Sequence, residues 1–444
     1  MPQHSRKTLS TCLPALLTIS TLSSPASAGI TQEVEDALNF YHYGKNGAVK
    51  IDLNYRWENV DQDKGAKFKD KFPQTANANT ARLRAGLLSP VFYGFQGYAE
   101  YEGNLAMQED FNSTLNGDKQ FSTIADPEHS ELNQLWLSYA GIPDTLIKGG
   151  RQRIKLDDDR FIGNVGWRQM ETTFDSVLIT HNNQQLFGLV INAGYIGNIQ
   201  TFTGTTEHIN APFLNVNYKV GDYGNLIGYG YWLDYTEKVV ETGLPTAFNY
   251  EKSSETYGIR MHCCKPGESV KITDDIGLLY TAEWSFQQNY GHGKTDYQAN
   301  RFNFMGGLSA FNVTVQGAVE QLNGYGKNKH FDTPLGTNHA FQGWADLFLV
   351  TPDNGIRDVF ATISTTLDRG DIVLTGVFHN FTDDTGQRQY GKEWDFQATK
   401  KFGKHYSLLA KYAYYNADNS SPVPGDAYIT TDTQKIWLQG NVSF

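Results

Sequence analysis

Apolar and polar side chains alternate every second residue along this chain, most cleanly between Val49 and Glu58. Val49, Ile51, Leu53, Tyr55 and Trp57 stand on one parity, and Lys50, Asp52, Asn54, Arg56 and Glu58 on the other. Successive side chains of a strand point to opposite faces, so this segment predicts a strand that is apolar on one side and charged on the other. The last residues repeat the beat: Ile436, Leu438, Gly440, Val442 and Phe444 alternate with Trp437, Gln439, Asn441 and Ser443. Comparable stretches recur at 79–88, 94–102, 132–140, 146–154, 173–180, 186–196, 213–219, 226–235, 255–262, 275–284, 299–305, 311–321, 358–366, 372–381, 392–400 and 406–415. With 48–58 and 433–444 they predict about 18 strands, in a range of roughly 16–18.

The connections alternate in length. Ser89–Tyr93, Gly141–Thr145, His181–Gln185, Gly306–Ala310, Leu367–Asp371 and Lys401–His405 are short. The connections at 59–78, 103–131, 155–172, 197–212, 236–254, 285–298, 322–357, 382–391 and 416–432 are longer, and only 263–274 is too long for its side. Short periplasmic turns alternating with long extracellular loops are expected of outer-membrane barrels. A charge on a lipid-facing position costs about 2–4 kcal/mol near the bilayer midplane, so the charged residues must point inward or sit at the rims, and the interior is polar and wet or filled by an interlocked salt-bridge network. The expected fold class is all-β, a single transmembrane antiparallel β-barrel over residues 48–444.

A soluble sandwich could share the two-residue period, and the two ends of the chain decide against it. Arg6 and Lys7 precede an apolar stretch from Leu9 to Leu22 and an Ala26-Ser27-Ala28 site. That order predicts a secretory signal peptide over 1–28 and a short periplasmic lead-in over 29–47. An aromatic residue closing the last strand resembles the sorting signal read by the barrel assembly machinery. No later run approaches the roughly 18 apolar residues a spanning helix needs. The expected location is the outer membrane of a Gram-negative bacterium, with its lipids as partners. The net charge of −11 becomes more negative once Arg6 and Lys7 are removed, which argues against nucleic acid as a partner.

Parity places a set of charges on the interior wall. Lys50, Arg56, Arg82, Arg84, Arg151, Arg153, Arg260, Arg301, Lys411 and Lys435 are the cations; Asp52, Glu58, Glu100, Glu102, Glu283, Glu320, Glu393 and Asp395 are the anions. Arg82 with Arg84, and Arg151 with Arg153, stand two apart and would share a face. They would form a cationic ladder that draws anions, or pair with Glu100, Glu102 and similar carboxylates and brace the wall. Two loop segments, Gly149–Ser176 and Phe331–Asp358, mix Trp, Phe, Arg, Asp and Gly. Such a mixture predicts loops that fold inward and narrow the pore, with Arg168, Trp344 and Asp346 along the solute path.

The segments RQRIKLDDDRFIGNVGWRQMETTFDS, IDLNYRWENVDQDKGAKF, NTARLRAGL and TPLGTNHAFQGWADLFL resemble the alginate export family of outer-membrane porin-like proteins. The resemblance implies an 18-stranded passive channel, in some members for secretion of the anionic polysaccharide alginate. It also implies that Arg151, Arg153 and Arg168 lie in or near a cationic constriction, and that the protein is a monomer rather than a trimer. The interior list is nearly balanced in charge, so small anionic or saccharide solutes are the expected cargo, with polysaccharide export alongside.

Other function classes have weaker material. An outer-membrane lipase or protease would need a nucleophile beside His339, Asp332 and Asp346, or beside His379, and no serine there has such a context. A barrel component of a polysaccharide secretion complex would show a plug or periplasmic domain, for which 29–47 is short. Asp157, Asp158 and Asp159 offer oxygen ligands without the turn spacing of a calcium loop, so no metal or cofactor is expected. Cys263 and Cys264 are adjacent and read as a local loop feature.

Overall fold

The fold is a computed structural model that describes residues 47–63, 73–183, 188–236, 252–264, 269–273, 275–367, 371–418 and 429–444. The segments expected to be a signal peptide at 1–28 and a periplasmic lead-in over 29–47 lie, up to residue 46, outside the described residues. Eighteen long strands run from β1 (Ala48–Gln62) to β18 (Thr433–Ser443), each antiparallel to its neighbours. β1 pairs β2 (Ala76–Leu88) on one side and β18 on the other, from Asp52 opposite Ser443 to Gln62 opposite Thr433. That last ladder closes the ring and leaves no free sheet edge, as a barrel in hydrocarbon requires. The described residues hold no helix beyond one 3-10 turn, Asn338–Ala340.

The sequence pattern explains which way each wall faces. In β1, Lys50, Asp52, Asn54, Arg56 and Glu58 are buried toward the interior, whereas Val49, Ile51, Leu53 and Tyr55 are exposed on the outside. Around the ring Leu83, Leu87, Leu135, Leu137, Val177, Ile179, Leu308, Ile363, Phe396, Leu408 and Leu438 continue the outer apolar surface. Phe92, Tyr93, Phe311, Tyr406 and Phe444 sit at the rim of short turns, where aromatic rings favour the membrane–water boundary. One such turn is only Phe311 and Asn312, both at positive φ, the conformation that suits a two-residue hairpin.

Strands extend further toward the long-loop rim than the alternation predicts. β3 (Phe95–Asp110) runs past residue 102, and β8 (Thr206–Lys219) begins before residue 213. In the outer part of β8 the pattern is inverted: Ile209 and Ala211 point inward and are buried, while His208 and Asn210 point outward. Outside, His208 and Asn210 bond Asn198 and Tyr195 at 2.6 Å each. A polar exterior and a dry interior are what a strand needs above the bilayer where it backs onto a packed loop.

Two connections fill that upper interior. Loop A (residues 153–172) joins β5 (Thr145–Gln152) to β6 (Thr173–Asn183); loop B (residues 323–355) joins β13 (Val313–Leu322) to β14 (Ile356–Leu367). Ile162 and Leu335 form a parallel bridge between them. Gly163 N donates to Leu335 O, and Thr337 N to Asp159 O, both at 2.9 Å. Ile154, Phe161, Ile162 and Trp167 of loop A share one buried core with Phe331, Leu335, Trp344 and Phe348 of loop B.

At the opposite rim, Cys263 and Cys264 are joined in a disulfide. The long connection there is partly structured, because Val270–Lys271 pairs with Leu278 and Gly277 at the start of β11 (Ile276–Asn289).

Candidate functional site

The constriction is assembled where loops A and B meet the wall formed by β1 to β4 (His129–Ile142) and by β16 (Gln389–Phe402), β17 (Tyr406–Ala417) and β18. On the β2–β3 side, Arg84 pairs with Glu102, and Arg82 with Asp52. Glu100 faces Lys50 at 3.7 Å and accepts from Asn133 and Gln134 at 2.9 Å. Asn133 reaches the interior because the register shifts at Glu100/Tyr101, where Glu100 is opposite Gln134 and Tyr101 opposite Leu132. An extra residue in one strand re-aims its side chain, and here that side chain joins Glu100 to Glu171.

Loop A first folds on itself: Arg153 Nε donates to Glu171 Oε2 at 2.6 Å, and Asn164 to the same oxygen at 2.6 Å. The carboxylate held there meets the wall through Asn133 at 2.7 Å and Arg84 at 4.0 Å. Burial raises the Glu171 carboxyl, but Arg153 and Arg84 outweigh burial and hold it below the ordinary carboxylate range. Arg168 reaches Glu58 at 3.1 Å, Asp346 of loop B at 3.3 Å and Asp126 at 3.6 Å. Burial disfavours its charge, and these carboxylates more than offset that. Arg56 donates to the Trp167 carbonyl at 2.5 Å and lies 4.5 Å over the indole.

Loop B is held from the other side. Ala345 N donates to Glu393 at 2.7 Å and Trp344 N to Asp395 at 3.2 Å. Gly343 has φ +84°, and a Cβ there would sit 2.4 Å from Glu393 Oε2, so glycine lets the loop backbone approach that carboxylate. Asp346 accepts from Lys435 at 2.9 Å and from His339 Nδ1 at 2.6 Å. Burial raises the Asp346 carboxyl, but His339, Lys435 and Arg168 hold it well below its ordinary range. Further round, Arg301 pairs with Glu320 at 2.6 Å and Glu283 at 3.0 Å, and Arg160 of loop A also reaches Glu320 at 3.2 Å. Arg260 meets Asp158 of loop A at 2.5 Å.

Of the residues singled out from the sequence, Arg82, Arg84, Arg153, Arg168, Arg260, Glu100, Glu102, Glu320, Trp344 and Asp346 lie in this interior network. Arg151 does not. It stands opposite Leu135 on the outer face and pairs with Asp175 at 2.8 Å. The expected shared face with Arg153 fails because β5 ends at Gln152 and the chain then turns inward. Glu171, Asp126, Asn133 and Asn164 are constriction residues that strand parity did not supply: three lie in loops and one in a bulge. Asp332 bonds Gln287 through its backbone at 2.9 and 2.8 Å rather than joining His339.

Residues 79–243 match the alginate export family. The chain is an outer-membrane β-barrel carrying that match. The matched span runs from β2 through β9 (Asn225–Tyr235) and includes loop A. No curated protein sequence matches the chain. Among solved structures, Acinetobacter baumannii OccAB2 is similar with a TM-score of 0.65 at 12% identity, over 90% of this chain and 99% of that one. Pseudomonas aeruginosa OpdQ gives 0.63 at 13% identity over 90% and 99%, and OpdK with vanillate gives 0.62 at 10% over 89% and 98%. At such identities the likeness concerns the fold, a closed ring traced by this chain from β1 to β18.

Proposed function

We propose that this barrel is a passive outer-membrane channel for small anionic or saccharide solutes, with its path narrowed by loops A and B. The observation that carries the reading is a closed ring whose interior is lined by charges of both signs and crossed by two loops fastened to each other and to the wall. Arg153, Arg168, Arg260 and Trp344 would offer guanidinium and indole surfaces to carboxylates and sugar rings once loops and solute exchange partners. The neighbour solved with vanillate, a small aromatic carboxylate, lends chemical support to that class of solute. Export of an anionic polysaccharide such as alginate is the second reading, favoured by the family match over 79–243. Against it, each arginine just named except Arg153, which binds loop A's own Glu171, meets a carboxylate on another element, so the constriction carries little uncompensated positive charge.

We assign no catalytic step, because His339 is engaged on both ring nitrogens by Asp346 and Lys411. Lipid contact, assembly by the barrel machinery and a monomeric state complete the proposal. Liposome swelling with purified protein tests it: small uronates and neutral sugars should enter at measurable rates, and a long oligouronate should not. Exclusion of every small solute by folded protein would refute the channel, and selective passage of the oligouronate would favour the export reading.

A further inference from the structure

Lys411 of β17 is buried among aromatic faces. Its Nζ lies 3.7 Å from the ring centroid of Trp344 in loop B, 4.1 Å from that of Trp167 in loop A and 5.6 Å from that of Trp437 in β18. Its hydrogen-bond partner is His339 Nε2 at 2.8 Å, and among the described residues it forms no ion pair. His339 stacks on Trp167 with centroids 4.2 Å apart and planes 4° from parallel. One wall lysine therefore touches both loops at once.

With Lys411 as the donor, Nε2 of His339 presents a lone pair and the ring proton resides on Nδ1, where it donates to Asp346. A proton added at Nε2 would remove the acceptor and set two cations against each other. The groups facing the imidazole come from every element around it. Asp346 is on loop B itself, Lys411 on β17, Lys435 on β18 beside Asp346, and Arg168 on loop A beside the same carboxylate. Glu393 and Asp395 of β16 face loop B through its backbone N–H groups.

We propose that Lys411, His339 and the three indoles form a proton-sensitive latch that holds loops A and B across the lumen at neutral pH and releases them in acid. The proposal rests on the channel reading and adds its regulation. Burial pushes His339 well below its ordinary value, with Lys411 and Arg168 adding to the effect and Asp346 opposing it. A histidine depressed in the latched state stabilises that state fully above its free value of about 6.5, and the stabilisation falls as pH drops below it. Each pH unit well below about 6.5 favours release roughly tenfold, until the latched-state value is reached. Asp346, depressed in the latched state, reinforces the trend only near and below about pH 4.

Single-channel recording in planar bilayers between pH 7.5 and 4.5 tests the latch. For the native chain the ratio of fully open to restricted states should rise about fivefold from pH 6.5 to 5.5 and approach tenfold per unit below that. His339→Gln can still accept from Lys411 and donate to Asp346 but takes no proton, so its ratio should stay flat over that range. In Lys411→Met burial still opposes a charged imidazole but the facing ammonium is gone, so the acid response should persist at a lower pH than in the native chain. Tryptophan emission of the native protein, which needs no variant to fold, should shift to longer wavelength between pH 7 and 5 as the indoles meet water. A flat native response with unchanged emission, or a His339→Gln variant that keeps the native response, overturns the latch while leaving the channel intact. Absence of conductance at every pH, in the native chain and in one with loop B shortened, overturns the channel reading itself.

Discussion

Replacing Glu171 by Gln tests whether loop A is fastened to the wall by charge. Glu171 is fully buried and receives Arg153, Asn164 at 2.6 Å and Asn133 at 2.7 Å, with Arg84 4.0 Å away. The amide retains one acceptor oxygen, but its NH₂ group turns a donor toward a neighbour that also donates. Hydrogen bonds to a charged group contribute about 1.5–3 kcal/mol each, and breaking a buried pair from one side costs about 3–5 kcal/mol. Of these partners only Asn133 and Arg84 belong to the wall, so docking loses about 1.5–3 kcal/mol, roughly a 10- to 150-fold change in the docked population of loop A, while the lost Arg153 and Asn164 bonds loosen the loop itself. The interior also loses one negative charge where loop A meets the wall. In planar bilayers, Glu171→Gln should show frequent excursions to a higher conductance, and its reversal potential in a potassium chloride gradient should move toward the chloride potential. Conductance noise and reversal potential identical to the native protein's would refute electrostatic docking of loop A.

Leu53→Arg places a charge on the lipid face of β1 and should reduce folding stability in vesicles by about 2–4 kcal/mol. Equilibrium unfolding in urea measures this, and a neutral result would mean that Leu53 does not face hydrocarbon. Trp167→Ala removes the stack on His339 and the surfaces under Arg56 and Lys411. A buried Trp→Ala change costs about 3–5 kcal/mol, so the variant should flicker faster between conductance levels at neutral pH, and unchanged dwell times would count against the loop packing. Reducing Cys263–Cys264 with a thiol should leave conductance unaltered, because the disulfide lies at the short-turn rim, away from loops A and B. A reversible change in single-channel current on reduction would contradict that placement.

The strands were legible because hydrocarbon imposes a strict rule: inside the bilayer every second residue must be apolar, and segments such as 48–58 and 433–444 obey it. The rule lapses above the membrane, which is why the outer half of β8, with Ile209 inward and His208 outward, carries no such signal. Arg82, Arg84, Glu100 and Glu102 could be placed from parity because they lie within regular ladders. Arg151 could not, since the residues just beyond it leave the strand. Glu171, Asp126 and Asn133 enter the constriction through loop paths and a bulge, and two-residue spacing says nothing about either. The aromatic surround of Lys411 was hidden for another reason: its three indoles come from positions 167, 344 and 437, brought together only by closure of the ring and the inward fold of both loops.

The most direct measurement is insertion of the purified, folded protein into a planar bilayer at neutral pH with salt on both sides. A lipid-embedded ring around a wet, loop-narrowed bore should give discrete current steps of uniform size, with brief larger openings as the loops move. Folded protein that enters the membrane and passes no current, at neutral pH or in acid, would contradict it.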